Sequence, residues 1–462
     1  MNLKDDQQQN IQLEMDFSSA LPGEARTAGR EETESSRAMN GTENPANTNR
    51  WMEEVCEREN LKEALRQVKA NKGSAGVDGM TVGGISDYLK QHWPAIREQL
   101  LSGTYEPKPV RRVEIPKPDG GVRKLGIPTV LDRFIQQAVM QVLQRRWDRT
   151  FSDHSYGFRP GRSAHQAVAQ AQHYIADGYG WCVDFDLEKF FDRVNHDKLM
   201  GQVTKRVADK RLLRLIRAFL NAGVMENGLV GPSVEGTPQG GPLSPLLSNL
   251  VLDELDRELE RRGHRFVRYA DDCNIYVRSE RAGQRVMESI TRFITHRLKL
   301  KVNEAKSAVA QPQERKFLGF SFTAGPEVKR VIAPKALDRF KQRIREITRR
   351  AKGVSMNTTM AELAPYMRGW RGYFGFCETP EVLIGLTRWV RLRLRAALWR
   401  QWKTPRRRRA ALLELGVHPR PARNLAGSGR GPWYLARAKA LAFGLSNAYF
   451  KSLGLPSLFE EC

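Results

Sequence analysis

Stretches with apolar residues at helical spacing alternate along the chain with shorter stretches that have the pattern of strands. Helices are predicted over four stretches before residue 330: 51–69, 129–149, 163–175 and 242–262. Beyond residue 334 the pattern is almost wholly helical, with short interruptions at Pro and Gly. The chain is therefore predicted to have a mixed α and β part followed by a helical part.

Two regions are predicted to form β-hairpins, and a third to form a single buried strand. The run 110–115 and the residues after an Asp-Gly-Gly turn predict the first hairpin, whereas 266–277 predicts two strands that meet at an Asp-Asp turn. The buried strand is predicted over 181–187. The first hairpin is strongly basic, with Arg111, Arg112, Lys117, Arg123 and Lys124.

Charge is unevenly distributed along the chain. The 76 Lys and Arg residues against 52 Asp and Glu give a net charge of +24, an excess that usually faces phosphate. Residues 330–462 hold 27 of the basic and 8 of the acidic residues, which indicates a polyanion-binding region in the last third. Residues 1–50 are acidic overall, polar and nearly without aromatic residues, so they are predicted to be a disordered leader.

Several classes of protein are excluded by composition. No apolar run approaches the roughly 20 residues that a membrane span needs, and the first residues lack a signal-peptide pattern, so we expect a soluble, cytoplasmic protein with no membrane partner. The five cysteines lie far apart and form no CxxC pair, so neither a zinc module nor a disulfide framework is predicted.

Carboxylates occur at two of the predicted strands. Strand alternation puts Asp184 and Asp186 on one face, and their spacing alone does not distinguish the two. Asp271 and Asp272 are adjacent; an isolated Asp-Asp pair is usually an exposed turn, but this one has apolar flanks. Three carboxylates from two strands can hold two Mg²⁺ ions, the arrangement used for nucleotidyl transfer.

These segments resemble blocks of a known family. Tyr269-Ala-Asp-Asp272 is similar to the YxDD box of reverse transcriptases, and the segment from Asp186 to His196 resembles their first carboxylate block. From about residue 51 to the C-terminus the chain resembles the group II intron reverse transcriptase/maturase family. The other resembling blocks are Ile115–Gly120, Arg123–Pro128, Ser155–Ser163, Gly236–Pro245, Leu300–Ser307, Phe317–Phe320 and Tyr366–Phe374.

The resemblance implies roles for individual residues. It implies that Asp186, Asp271 and Asp272 are the catalytic metal ligands, holding two Mg²⁺ ions, while Asp184 is not assigned to the metals. The nucleotide-binding residues that it implies are Lys117 and Arg123 at the triphosphate, Phe191 at the sugar and Gln239 beside the template or nucleotide.

Alternatives to these nucleotide-binding roles remain open from sequence alone. Lys117 and Arg123 could instead be a solvated hairpin edge. Phe190, rather than Phe191, could be the residue at the sugar, with the other in the core.

A set of arginines in the helical part predicts RNA binding. Arg388, Arg391 and Arg395 recur at three- and four-residue spacing and share one helix face. The nearby tryptophans either pack against that helix or stack on bases. The run 406–409 is a weaker signal, typical of a solvated segment that contacts phosphate without reading sequence.

By this resemblance the fold class is α+β: a right-hand polymerase with fingers and an antiparallel palm sheet, followed by an α-helical thumb/maturase region. The expected divisions are a leader over 1–50, fingers over 51–180, palm over 181–329, thumb/maturase domain over 330–403 and a basic nucleic-acid-binding segment over 404–462.

The implied function is RNA-directed DNA polymerisation, with binding of the intron RNA to assist splicing and with intron mobility by target-primed reverse transcription. The implied partners are intron RNA, RNA template, DNA primer, deoxynucleoside triphosphates and target DNA. Two alternatives are an intron-independent, host-adapted or defence-associated reverse transcriptase, and an RNA-binding splicing factor with a vestigial polymerase. The intact carboxylates argue against the second alternative.

The last part of the chain has few zinc-ligating residues. Its only histidine over 330–462 is His418, and its only cysteines are Cys377 and Cys462, so we expect a member without the zinc-stapled endonuclease domain.

Overall fold

The structure is a computed structural model that describes residues 50–116, 122–226, 229–231, 236, 240–349 and 353–459. The chain divides into two compact units, Met1–Gln311 and Pro312–Cys462. Residues 1–49 of the expected leader lie outside the described residues. The finer domain boundaries expected inside the two units stay a prediction.

Helices form about half of the described residues of the first unit. They are α1 (Trp51–Val55), α2 (Arg58–Ala70), α3 (Ile85–Ser102), α4 (Val130–Trp147), α5 (Ala164–Ala176), α6 (Phe190–Arg193), α7 (His196–Thr204), α8 (Lys210–Asn221), α9 (Ser244–Arg261) and α10 (Glu280–Phe293). The helix predicted over 51–69 is in fact two helices, because Glu57 has extended backbone and separates α1 from α2. The other three predicted helices are confirmed as α4, α5 and α9.

Helix α4 lies in the hydrophobic core of the first unit. Thr129 caps its N-terminus by accepting a hydrogen bond from the amide of Asp132, and Phe134, Ile135 and Val139 are buried along its length. The Asn60 side chain of α2 donates to the Ala138 carbonyl at 3.1 Å. Helix α4 thus anchors the N-terminal helices to the rest of the unit.

The basic hairpin predicted over 110–127 is confirmed. Strands β1 (Val110–Pro116) and β2 (Val122–Ile127) are antiparallel, with Ile115 opposite Arg123. Strand β1 also pairs in parallel with β4 (Val224–Glu226), which pairs with β5 (Leu229–Gly231), in the order β2-β1-β4-β5. The turn over 117–121 lies outside the described residues.

A second sheet has the order β6-β7-β3-β8 and is antiparallel throughout. Its strands are β3 (Trp181–Phe185), β6 (Arg265–Tyr269), β7 (Asp272–Val277) and β8 (Ala308–Ala310). Helix α10 packs on one face, where Gly283 lies against Val183, Val277 and Val309. This sheet confirms the antiparallel sheet that the sequence predicts, and with the surrounding helices it confirms the α+β class.

The second unit is almost wholly helical, as predicted. It begins with a two-stranded sheet of β9 (Phe320–Phe322) and β10 (Arg330–Ile332). Its helices are α11 (Pro334–Ile347), α12 (Met356–Phe374), α13 (Pro380–Gln401), α14 (Pro405–Glu414), α15 (Pro419–Ala426), α16 (Pro432–Leu435), α17 (Lys439–Gly444) and α18 (Asn447–Ser452). Trp370 packs between Phe340 and Phe374, with ring centroids 4.5 and 4.7 Å away, so the aromatic block over 366–374 belongs to the core of this unit.

In the part of the chain that the structure describes, no helix is both long and apolar enough to cross a membrane.

Candidate active site

The three predicted metal ligands lie at one end of the second sheet. Strands β3 and β7 are antiparallel, with Phe185 opposite Cys273. One residue further along each strand, this register leads to Asp186 and Asp272. Asp271 is in the turn that joins β6 to β7. Strand pairing therefore brings the three half-buried aspartates to the same edge of the sheet.

Asp184 and Asp186 differ in position. Asp184 lies within β3, opposite Asn274, whereas Asp186 follows the last residue of the strand. The Asp186 amide donates to Ser307 Oγ at 3.0 Å, and its carbonyl accepts from the Asn303 amide at 2.8 Å. Residues 300–307, one of the resembling blocks, therefore hold the backbone of Asp186.

The turn before Asp271 has a left-handed residue. Ala270 has φ +56°, a conformation that costs a residue with a Cβ roughly 1–2 kcal/mol. Gly157 lies against this turn: a Cβ at position 157 would overlap the Ala270 nitrogen and stand 3.0 Å from the carbonyl carbon of Tyr269. Only glycine fits at 157, so the block over 155–163 packs against the turn at Ala270 and Asp271, which we call the carboxylate turn.

Arg268 is a fully buried charged residue beneath this turn, and sequence reasoning missed its role. Its Nε and Nη2 atoms donate to the two carboxylate oxygens of Asp256 in α9, at 2.7 and 2.5 Å. Its Nη1 atom donates to the Ala270 carbonyl at 2.8 Å and to Asn249 Oδ1 at 3.0 Å. Nη2 also donates to Ser155 Oγ at 2.8 Å.

The electrostatics of this pair keep the guanidinium charged. Burial alone lowers the pKa of Arg268, but the charge and hydrogen bonds of Asp256 outweigh burial and raise that pKa above its ordinary value. A signal for the pair was present in the sequence. Asp256 interrupts the apolar face of α9 between Leu252 and Leu259, and Arg268 interrupts an apolar strand. An acid and a base that are both at buried positions indicate an ion pair.

The two phenylalanines after Asp186 have different surroundings. Phe190 is 2% exposed and belongs to the core, whereas Phe191 is half-buried, with its ring 5.3 Å from that of Phe190. Gly236 lies beside α6, because a Cβ there would stand 2.8 Å from the Phe191 carbonyl oxygen. Its amide donates to the Val194 carbonyl at 2.9 Å. The first residue of the block over 236–245 is therefore fixed to the segment that carries Phe191.

The structure describes little of the other predicted nucleotide-binding residues. Lys117 and Gln239 lie outside the described residues. Arg123 lies in β2, opposite Ile115. Gly240, just after Gln239, lies against the same strand, since a Cβ there would stand 2.9 Å from the Gly126 carbonyl oxygen. The roles of Lys117, Arg123 and Gln239 stay a prediction.

The carboxylate edge has the donors for a hard cation but is not a closed ligand cluster. Within the described ranges, no three His, Cys, Asp or Glu side chains lie close enough together to hold a metal ion. Asp186, Asp271 and Asp272 supply only oxygen donors, which Mg²⁺ prefers. Like charges repel, so a cation between these side chains would favour their close approach. The residue types and the strand ends thus fit a divalent cation that draws them together.

The three predicted RNA-binding arginines of α13 differ in exposure. Arg388 is exposed, whereas Arg391 and Arg395 are half-buried, and burial lowers the pKa of each of these two. Arg395 Nε donates to the Leu445 carbonyl at 3.0 Å, so this arginine also joins α13 to the segment after α17. Trp399 is fully buried and packs inside the unit. Arg388 therefore presents the most accessible charge of this helix face.

Comparison with protein families identifies two domains. The reverse transcriptase (RNA-dependent DNA polymerase) family matches residues 115–322, which include the three carboxylates and Arg268. The group II intron maturase-specific domain matches residues 337–413, which include the three arginines of α13.

Comparison with individual proteins gives relatives that match about half of this chain. The chain is 39% identical to protein YkfC of Escherichia coli, over 45% of this chain and 56% of that protein. It is 31% identical to the group II intron-encoded protein LtrA of Lactococcus lactis subsp. cremoris, over 56% of this chain and 54% of that protein. The chain thus spans about half the length of these curated relatives.

Among solved structures, one chain of a partial Cas6-RT-Cas1-Cas2 complex matches with a TM-score of 0.35 and 23% identity, over 53% of this chain and 42% of that chain.

The two matched domains follow one another along the chain and together span more than half of it. They occur in the order that the sequence blocks predict, with the polymerase blocks before the helical maturase region. The chain therefore contains a reverse transcriptase domain followed by a group II intron maturase-specific domain, the two domains that the sequence resemblance implies.

Proposed function

We propose that the chain is an RNA-directed DNA polymerase that extends a DNA primer on an RNA template with deoxynucleoside triphosphates. The observation that carries this proposal is the pairing of β3 with β7, which gathers Asp186, Asp271 and Asp272 at one edge inside the matched reverse transcriptase domain. Carboxylates gathered in this way attract divalent cations and, through them, substrate phosphates.

In the proposed reaction, the primer 3′-hydroxyl oxygen attacks the α-phosphorus of the nucleotide and pyrophosphate leaves. Asp186, Asp271 and Asp272 would hold two Mg²⁺ ions, which when bound favour deprotonation of the attacking hydroxyl and neutralise charge on the leaving group. The contribution of the protein is to fix the carboxylates. Two hydrogen bonds support that role: the Asp186 amide donates to Ser307 Oγ, and the Asp186 carbonyl accepts from the Asn303 amide.

Four further residues are assigned to nucleotide binding. Phe191 would pack against the sugar and exclude a 2′-hydroxyl, and its half-buried ring beside a fully packed Phe190 supports this choice between the two. Lys117 and Arg123 would contact the triphosphate, where an ammonium and a planar guanidinium suit different phosphate oxygens. Gln239 would lie beside the template or nucleotide.

The second unit is proposed to bind the intron RNA that encodes the protein and to assist its splicing. The match to the maturase-specific domain supports this role, as does the excess of 27 basic over 8 acidic residues in 330–462. Arg388, Arg391 and Arg395 would contact RNA phosphates. Intron mobility by target-primed reverse transcription at a DNA target, in the cytoplasm, completes the proposal.

Primer extension on an RNA template, with purified protein and Mg²⁺, tests the polymerase. We expect wild-type protein to synthesise cDNA and Asp186→Asn to lose that activity. Asp197→Asn is the matched control, because Asp197 is an exposed aspartate of α7 that pairs only at the surface with Arg217. Full activity of Asp186→Asn would contradict the assignment, and an inactive wild-type protein would contradict the function.

A further inference from the structure

The guanidinium of Arg268 connects three separate chain segments at the carboxylate turn. It contacts Asp256 and Asn249 of α9, Ser155 of the block over 155–163, and the carbonyl of Ala270 in the turn itself. Its side chain and that of Asp256 are both 0% exposed. Nothing in the polymerase reaction itself requires a charge at this position.

We propose that Arg268 is a positioning residue that holds the turn before Asp271 in the conformation needed for polymerisation. The inference rests on the proposed polymerase function, because it gives this buried group a role at that site. Arg268 acts through the Ala270 carbonyl and touches neither the nucleotide nor the carboxylates that would bind metal.

The first argument is the conformation of Ala270. A residue with a Cβ and a left-handed backbone persists only where its surroundings stabilise it. Here the carbonyl of Ala270 accepts a hydrogen bond from a charged donor at 2.8 Å, and such bonds are about twice as strong as those between neutral groups. Because Ala270 directly precedes Asp271, the same contact fixes the direction in which the two aspartates leave the turn.

The second argument is the shape of the guanidinium. Both edges of its fork are occupied: one binds the carboxylate of Asp256 and the other binds the Ala270 carbonyl and Asn249. Asp256 therefore sets the orientation of the Nη1 group that donates to the Ala270 carbonyl. A lysine has one terminal nitrogen and cannot make these contacts together, so the position requires arginine for geometry rather than for charge alone.

The test compares variants that separate geometry from stability. Arg268→Lys keeps the charge opposite Asp256 but loses the fork. In the paired variant Arg268→Met with Asp256→Leu, apolar residues replace the ion pair, a change that is often neutral for stability. This paired variant keeps the test decisive if Arg268→Lys fails to fold. The matched control is Arg211→Lys, which removes another guanidinium group in the same unit but away from the turn. That group donates to Asp209 and to Glu53 at 2.8 Å.

Two quantities are measured for each folded variant: primer-extension kinetics, and hydrogen exchange of the amides over 269–272. We expect both Arg268 variants to lower kcat on the order of a hundredfold, the cost of an ångström-scale misplacement, with the KM for nucleotide nearly unchanged. We also expect faster exchange in the turn. Arg211→Lys should lower the melting temperature without changing kcat or the exchange of the turn.

The outcomes separate the inference from the function on which it rests. If the Arg268 variants keep wild-type kcat and wild-type exchange over 269–272, Arg268 has only a structural role and the inference is wrong. If wild-type protein does not polymerise, the proposed function fails, and exchange over 269–272 alone still decides whether Arg268 holds the turn.

Discussion

Gly157 lies directly against the backbone of Ala270, one residue before the adjacent aspartates. Hydrogen bonds on either side fix this contact, because the Tyr156 amide donates to the Arg268 carbonyl at 2.8 Å and Asn249 Nδ2 donates to the Gly157 carbonyl at 2.8 Å. Two blocks about a hundred residues apart in sequence thus form one structural element at the candidate site.

Gly157→Ala is therefore expected to disturb both stability and activity. The added methyl overlaps backbone atoms that cannot rotate away, so we expect a loss of about 1–3 kcal/mol in the free energy of unfolding and a clear loss of primer extension. Gly201→Ala is the control: Gly201 lies in α7 with nothing within 4 Å of an added Cβ, and the change should stabilise by about 0.5–1 kcal/mol. Denaturant unfolding and primer extension measure the two effects. Wild-type behaviour of Gly157→Ala would contradict the close contact.

The double variant Asp271→Ala, Asp272→Ala should abolish cDNA synthesis while leaving RNA affinity nearly unchanged. Both carboxylates are at the edge of the sheet in the first unit, whereas the basic helices are in the second. Primer extension and filter binding of the same preparation measure the two properties. Substantial Mg²⁺-dependent synthesis by the double variant would remove these residues from the site.

Phe191→Ala is expected to admit ribonucleotides, because removing the half-buried ring opens space for a 2′-hydroxyl. Incorporation of single ribonucleotides opposite a defined template measures this discrimination. Phe190→Ala is the matched comparison: it empties a core position and should cost about 3–5 kcal/mol of stability. If Phe190→Ala lowers discrimination and Phe191→Ala does not, the wrong phenylalanine has been assigned to the sugar.

Charge reversal in α13 should weaken binding of intron RNA most at Arg388. Arg388→Glu removes an exposed cation, so the slope of log affinity against log salt should decrease by about one unit. Arg395→Glu should also destabilise the second unit, because it breaks the hydrogen bond to the Leu445 carbonyl. Arg292→Glu, at an exposed arginine of α10 in the first unit, is the control. An unchanged salt slope for Arg388→Glu would exclude that arginine from phosphate contact.

Local sequence patterns predicted most of the elements around the site. Apolar periodicity is enough to predict α4, α5 and α9, and the turn residues are enough to predict the basic hairpin of β1 and β2. The break at Glu57 was not predicted, because the apolar positions on both sides continue at helical spacing.

Contacts between distant segments could not be predicted in the same way. The register of β3 against β7, and the half-burial that distinguishes Phe191 from Phe190, depend on residues far away in the chain. The ion pair of Arg268 and Asp256 has the same origin: each residue merely interrupts an apolar pattern, and only the packing of α9 against β6 brings them together.

The hydrogen bonds at Asp186 have a consequence for protein synthesis. The backbone amide of Asp186 can donate to Ser307 Oγ only after Ser307, which is 121 residues later in the chain, has been synthesised. At about 5–20 residues per second, a ribosome needs roughly 6–24 s to make that interval. The carboxylate edge of a nascent chain is therefore incomplete during this time, even after β3, α9 and the β6-β7 hairpin have been translated.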